Sequence, residues 1–210
     1  MTEQLYPFLH AAATDLDTVL AEVRRSTEEK VAEIVALRRT VLERDGARLE
    51  ACARRLGEAF RAGGRLFTFG NGGSSTDAQD VASLFLHPGG KCRPLPALAL
   101  TTDAAVVTAL SNDIGFDVVF ARQLAAFGGP GDIALGLSTS GNSTNLIRAF
   151  EEAMRRKMLT IGLAGSTGGQ MAELDGIDHL FVMPSSSVHR IQEAQTTVYH
   201  ALWELIQRAL

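Results

Sequence analysis

The chain is poor in cysteine. Its two, Cys52 and Cys92, lie far apart in 210 residues and form no metal or redox pattern. That excludes a disulfide framework and reads as reduced packing residues in a cytoplasmic setting. There is no excess of positive charge: 20 Lys and Arg stand against 24 Asp and Glu, a net charge of -4. A surface that binds nucleic acid directly usually needs a basic patch, so that class is excluded. No apolar run approaches the ~20 residues of a membrane span. The opening Met1-Thr2-Glu3-Gln4 has no basic segment followed by an apolar one, so no secretory leader is expected. Internal repeats and low-complexity tracts are absent too. What remains is ordinary for a soluble globular protein: 46% hydrophobic and 21% charged residues, at a length suiting one domain, alone or with a helical extension.

The most informative stretch is Leu137-Ser138-Thr139-Ser140-Gly141-Asn142-Ser143. It follows the apolar run Ile133–Leu137 and precedes an amphipathic run that starts at Thr144. A strand, a hydroxyl-rich turn and a helix start make a natural anion cradle. Backbone N–H groups, the hydroxyls of Ser138, Thr139, Ser140 and Ser143, and the positive end of a helix dipole converge there. The turn holds no lysine, so it is not a Walker loop. Hydroxyls and amides without a fixed cation suit a phosphomonoester on a small molecule, a sugar phosphate before a nucleotide.

Residues 1 to about 63 read as helix. Leu20, Val23, Val31, Ile34, Val35, Leu37, Val41 and Leu42 recur at three- and four-residue steps. A second helical stretch is expected after Gly46, with Leu49, Cys52, Leu56 and Phe60 on one stripe, ending at Gly63-Gly64. The stripe is wide. It packs either on the rest of the domain or on the same helices of another copy, and periodicity alone does not separate the two. From Arg65 the pattern alternates. Apolar runs at 65–69, 97–100, 133–137, 159–164 and 179–183 are separated by helical patterns at 77–86, 104–110, 116–126 and 144–156, and 189–210 is helical again. This is the β-α alternation of a doubly wound parallel sheet of the α/β class. Ligands bind such sheets beyond the carboxyl ends of the strands, so the loops after residues 69, 100, 137 and 164 are the candidates.

The first of these loops is Gly70-Asn71-Gly72-Gly73-Ser74-Ser75. Its glycines allow a tight turn and close approach to a ligand, and Ser74 or Ser75 is placed to cap a helix near Asp77. It is either a plain turn with a cap or one wall of a pocket. The spacing is not that of a dinucleotide fingerprint. Asn112-Asp113, between two helical runs, is either a turn or a pair of hydrogen-bonding groups for sugar hydroxyls. On the last helix, Gln192, Thr196 and His200 fall at four-residue steps and share a face. Neutral imidazole shuttles protons near pH 7, which makes His200 an acid/base candidate. His87, His179 and His189 carry less information.

Together these segments resemble the sugar isomerase (SIS) domain family, in its phosphoheptose isomerase branch. The matching segments are Gly70–Ser74, Asn112-Asp113-Ile114-Gly115-Phe116, Ser138–Ser143, and Arg190-Ile191-Gln192-Glu193 followed by His200. The resemblance covers nearly the whole chain. It implies a five-stranded sheet flanked by helices over 64–210, with 1–63 as an N-terminal helical extension for oligomerisation. It implies a homotetramer with sites shared between subunits. The implied reaction is aldose–ketose isomerisation of sedoheptulose 7-phosphate to a glycero-manno-heptose 7-phosphate, or of a related sugar phosphate. Carried over by position, Asn71, Gly72, Gly73 and Ser74 line the substrate. Ser138, Thr139, Ser140 and Ser143 hold the phosphate, Asn112 and Asp113 meet the sugar, and Gln192 contacts substrate or metal. His200 matches the family's catalytic histidine.

One departure stands out. The enzymes of this branch carry a histidine and, four residues on, a catalytic glutamate on the helix after the first loop. Those positions are Asp80 and Leu84 here. Leucine moves no proton, so Asp80, one turn earlier, is the expected second acid/base group. No cofactor is required. Some relatives bind zinc, for which Asp80, Gln192 and His200 offer two ordinary ligands and an amide, a poor zinc set. The alternative is a non-catalytic SIS protein that binds a sugar phosphate and a protein partner such as a replication initiator.

Overall fold

The computed structural model describes residues 16–210. The helix expected over the first fifteen residues, and the reading of Met1 to Gln4, lie outside them. Helix α1 spans Leu16–Arg61 without interruption. The restart expected at Gly46 does not occur. A side chain at Gly46 would meet only Leu42, at 3.8 Å, so nothing in the packing calls for a turn. An interior glycine costs a helix only about 1 kcal/mol relative to alanine. The buried stripe Val41, Leu49, Cys52, Leu56 and Phe60 runs straight through it. The chain divides into two compact units between Ala36 and Leu37. In the first, Leu20, Val23, Val31 and Val35 are exposed; in the second, Leu37 and Val41 are buried while Leu42 is 66% exposed.

The remaining elements alternate as expected. They are β1 (Leu66–Gly70), α2 (Gly73–Leu86), β2 (Ala97–Ala99), α3 (Ala104–Asp113), α4 (Val119–Phe127), β3 (Ile133–Ser138), α5 (Thr144–Arg155), β4 (Leu159–Gly165), α6 (Gly169–Glu173), β5 (His179–Met183) and α7 (Val188–Ala209). The helix expected over 116–126 is a 3-10 turn, Phe116–Val118, followed by α4. The short α6 had no periodicity to announce it. All five strands are parallel, in the order β2-β1-β3-β4-β5. This is the strand order of flavodoxin-type doubly wound sheets, whose direction of winding reverses between the first and third strands. The turns that follow β1 and β3 therefore open side by side, because Gly70 is paired with Leu137 at the carboxyl ends.

Strands covered on both faces read as continuous apolar runs, and β1, β3 and β4 are buried along their whole length. On one face Phe69 lies edge-on to Phe150 at 5.4 Å and beside Phe120 at 5.6 Å. Among the described residues no helix is long and apolar enough to cross a membrane.

A charged clamp joins α1 to the sheet edge. The Asp45 side chain is fully buried and is held by Arg44 and by Arg48 Nη1, the latter at 2.6 Å. The same guanidinium groups reach on to β5: Arg44 donates to the Val182 carbonyl, and Arg48 Nη2 to that of Leu180 at 2.7 Å. Removing the carboxylate leaves two arginines without their common partner, but both stay about half exposed. We expect Asp45→Ala to lower stability by about 2 kcal/mol, toward the low end for a broken buried pair. Urea unfolding followed by circular dichroism measures it.

Candidate functional site at the strand switch point

The turn after β3 is built from its own hydroxyls. Ser138 Oγ accepts from the Gly141 N–H at 3.0 Å, and Ser140 Oγ accepts from the Asn142 N–H at 3.2 Å. Gly141 has φ +69, and a Cβ there would fall 1.9 Å from the Gly168 carbonyl oxygen. Only glycine allows that approach. Asn142 Oδ1 accepts from Gln170 N at 2.9 Å, which ties the turn to α6. Ser138 and Ser140 thus shape the loop. Thr139 and Ser143, by contrast, make no side-chain hydrogen bond among the described residues; Ser143 sits at the N-cap of α5 without capping it. A hydroxyl that accepts an N–H keeps its own proton, so all four hydroxyls and the first-turn amides of α5 are what the turn can offer an anion.

The turn after β1 differs from expectation at its helix start. α2 begins at Gly73, with Gly72 at its N-cap and no side-chain cap. Ser74 and Ser75 lie inside the first turn, and Ser74 is buried. The reason is that the backbone turns already at Gly72, ahead of both serines: the Ser74 N–H reaches the Asn71 carbonyl at 3.0 Å and the Ser75 N–H that of Gly72 at 2.9 Å. Asn71 and Asn145 exchange two amide hydrogen bonds of 2.9 Å each, which lock this turn to the first turn of α5. The Asn71 amide keeps one N–H and one lone pair for a ligand.

Helix α7 closes the other side. Ser187 caps it, so it starts at Val188. Ile191 is buried in the core, whereas Arg190 pairs with Glu193. Gln192 turns the other way and lies against Gly73: a Cβ there would stand 2.6 Å from its Nε2. That Nε2 donates to Asp77 Oδ2 at 2.8 Å. The fully buried Gln195 donates to the Leu163 carbonyl at 3.0 Å, holding α7 on β4. Thr196 Oγ1 bonds back to the Gln192 carbonyl at 3.0 Å, so it is helix-bound. The His200 ring is exposed and stacks on Tyr199 at 5.1 Å between centroids.

Of the residues expected at the site, the two turns, Gln192 and the α2 start are brought together. Asp80 is exposed and makes no hydrogen bond among the described residues. Leu84, one turn on, is half-buried. Asn112 and Asp113 form the last turn of α3, not a loop between helices, and Asn112 donates to Asp113 at 2.8 Å. No hydrogen bond joins them to the other candidates among the described residues. Sequence reasoning missed Asp77. Burial pushes its carboxyl above the usual carboxylate range, the Gln192 amide pulls it back, and the nearby Asp80 charge raises it further. The folded protein therefore binds that proton more tightly than the unfolded chain, and stability tied to it is lost as pH rises through the folded value. The signal was the spacing: Asp77 is three residues from Asp80 and shares its face.

Among the described residues no three His, Cys, Asp or Glu side chains come together to hold an ion. Asp80 and His200 bring two ordinary ligands and Gln192 an amide oxygen, a poor set for zinc.

Gly141→Ala combines a left-handed backbone with a clash into the Gly168 carbonyl. We expect it to weaken binding of a sugar phosphate at least tenfold and to lower the melting temperature, read by calorimetry and thermal shift.

The comparisons fit this geometry. The model of the SIS domain matches residues 31–165. A phosphoheptose isomerase from a Roseiflexus species is 42% identical over 177 residues, covering 84% of this chain and 89% of that protein. One from Aquifex aeolicus is 38% identical over 193 residues, covering 91% and 96%. Among solved structures, phosphoheptose isomerase from Neisseria gonorrhoeae is similar with a TM-score of 0.83 at 34% identity, covering 89% of this chain and 99% of that one. With the fold, the turns and the helix α7 all in the family's order, the chain belongs to the SIS-domain family, in its phosphoheptose isomerase branch.

Proposed function

We propose that this protein is a sugar-phosphate aldose–ketose isomerase, interconverting sedoheptulose 7-phosphate and a glycero-manno-heptose 7-phosphate or a closely related pair. The observation that carries the reading is the lysine-free cradle after β3, placed at the switch point beside the polar face of α7. Ser138, Thr139, Ser140, Ser143 and the first-turn amides of α5 take the phosphate, and Ser138 and Ser140 also hold the turn in shape. Asn71, Gly72, Gly73 and Ser74 shape the wall beside it. Gln192 faces the substrate, and His200 serves as an acid/base group. Asn112 and Asp113 meet the sugar where a second subunit completes the site.

Isomerisation through an enediol needs one group at the carbons and one at the oxygens. His200 suits the oxygens, since imidazole gives and takes a proton near neutral pH. A phosphorus and proton NMR time course with sedoheptulose 7-phosphate tests the reading. New aldose-phosphate signals are expected. Broadened substrate resonances with no new species would instead make the protein a sugar-phosphate binder with a protein partner, as Leu84 would then imply. We expect His200→Ala to lower kcat by about 10²- to 10⁴-fold while leaving phosphate affinity within a factor of ~3.

The helical extension, residues 1–63, is proposed to hold four copies together, in a cytoplasmic enzyme. Its support is the row Leu20, Val23, Val31 and Val35, about half exposed on α1. Large exposed apolar rows mark association surfaces. Light scattering is expected to give a tetramer, and Val31→Glu with Val35→Glu to give smaller species.

A further inference from the structure

Two carboxylates lie on α2, Asp77 and Asp80, and their surroundings differ. Asp80 is exposed. Asp77 is half-buried, and among the described residues no cation pairs with it. A desolvated carboxylate serving stability alone is normally neutralised by Arg or Lys. Among the described residues its only hydrogen-bond donor is a neutral amide, Gln192 Nε2, at 2.8 Å on Oδ2. That amide is itself wedged against the Gly73 backbone, where any Cβ would stand 2.6 Å away. The contact fixes the carboxylate's orientation and leaves Oδ1 without a partner among the described residues. The assembly sits at the mouth of the β1 turn, beside the phosphate cradle. Asp80 on the same helix and Tyr199 on α7 are the titratable groups that act on it.

We propose that Asp77 is the catalytic residue that carries the carbon-bound proton in the isomerisation, with Gln192 as its positioning residue. This rests on the isomerase reading above. In the ketose-to-aldose direction Asp77 Oδ1 takes a proton from C1. The C1–C2 double bond forms, and the C2 carbonyl oxygen takes a proton from the His200 imidazolium, giving a neutral enediol. The O1–H proton then returns to the imidazole, C1=O forms, and the Asp77 carboxyl delivers its proton to C2. Both groups end as they began, so no oxidant, reductant or other reactant is needed.

The test compares wild type, Asp77→Asn and Asp80→Asn with sedoheptulose 7-phosphate in D2O. Turnover and deuterium uptake at carbon are read by NMR, substrate binding by calorimetry and folding by thermal shift. Wild type is expected to turn over. Asp77→Asn is expected to lose kcat by about 10²- to 10⁴-fold, together with deuterium uptake. It should still bind substrate within about threefold, because asparagine keeps the acceptor for Gln192, and its melting temperature should be equal or higher at pH 7. Asp77→Asn within tenfold of wild type, or Asp80→Asn losing as much, overturns the proposal while the isomerase reading stands. A wild type that binds but never turns over ends both. If Asp77→Asn does not fold, Asp77→Glu is read in its place: it keeps the charge but moves it by one methylene. A kcat at least tenfold lower with KM unchanged supports the assignment, and an unchanged kcat overturns it.

Discussion

The parallel pairing of β1 with β3 is the constraint on which the site rests. The register from Leu66 opposite Ile133 to Gly70 opposite Leu137 ends both strands at the same level. Two turns that are about seventy residues apart in sequence then leave the sheet side by side. The Asn71–Asn145 amide pair fixes one turn to the helix that follows the other. Slipping that register by one residue would move every inward side chain of β1 to the other face. Phe69 would leave Phe150, and the two turns would no longer face each other.

Much of this was legible in the chain. The five apolar runs gave the five strands to within a residue or so, since strands covered on both faces need unbroken apolar sequence. The Ser138–Ser143 turn announced itself because glycine and hydroxyls between a strand and a helix have few other uses. What could not be read was which hydroxyls would accept from the turn's own amides. Ser138 and Ser140 look as free in sequence as Thr139 and Ser143. They are bound to Gly141 and Asn142 because the tight turn has no other acceptors for those amides. Gly46 misled for the opposite reason. Glycine marks helix ends when the backbone must turn, but here the apolar stripe continues past it and tertiary packing overrides propensity.

The two carboxylates of α2 show the same limit. Asp77 and Asp80 both lie on the polar side of α2, and sequence spacing cannot rank them. Their difference arises from Gln192, more than a hundred residues away, which covers one and not the other. The glycine at position 73 is what admits Gln192, so a residue with no chemistry of its own decides which carboxylate is desolvated.

The reach of Arg44 and Arg48 has a consequence beyond holding α1 in place. Leu180 and Val182 are alternate residues of the outermost strand, so their carbonyls point to the same side, away from β4. An outer strand with free carbonyls is a template on which a foreign strand can grow. Here those two carbonyls are already occupied by guanidinium groups that share one buried carboxylate. A strand added at that end would have to displace both arginines to reach them.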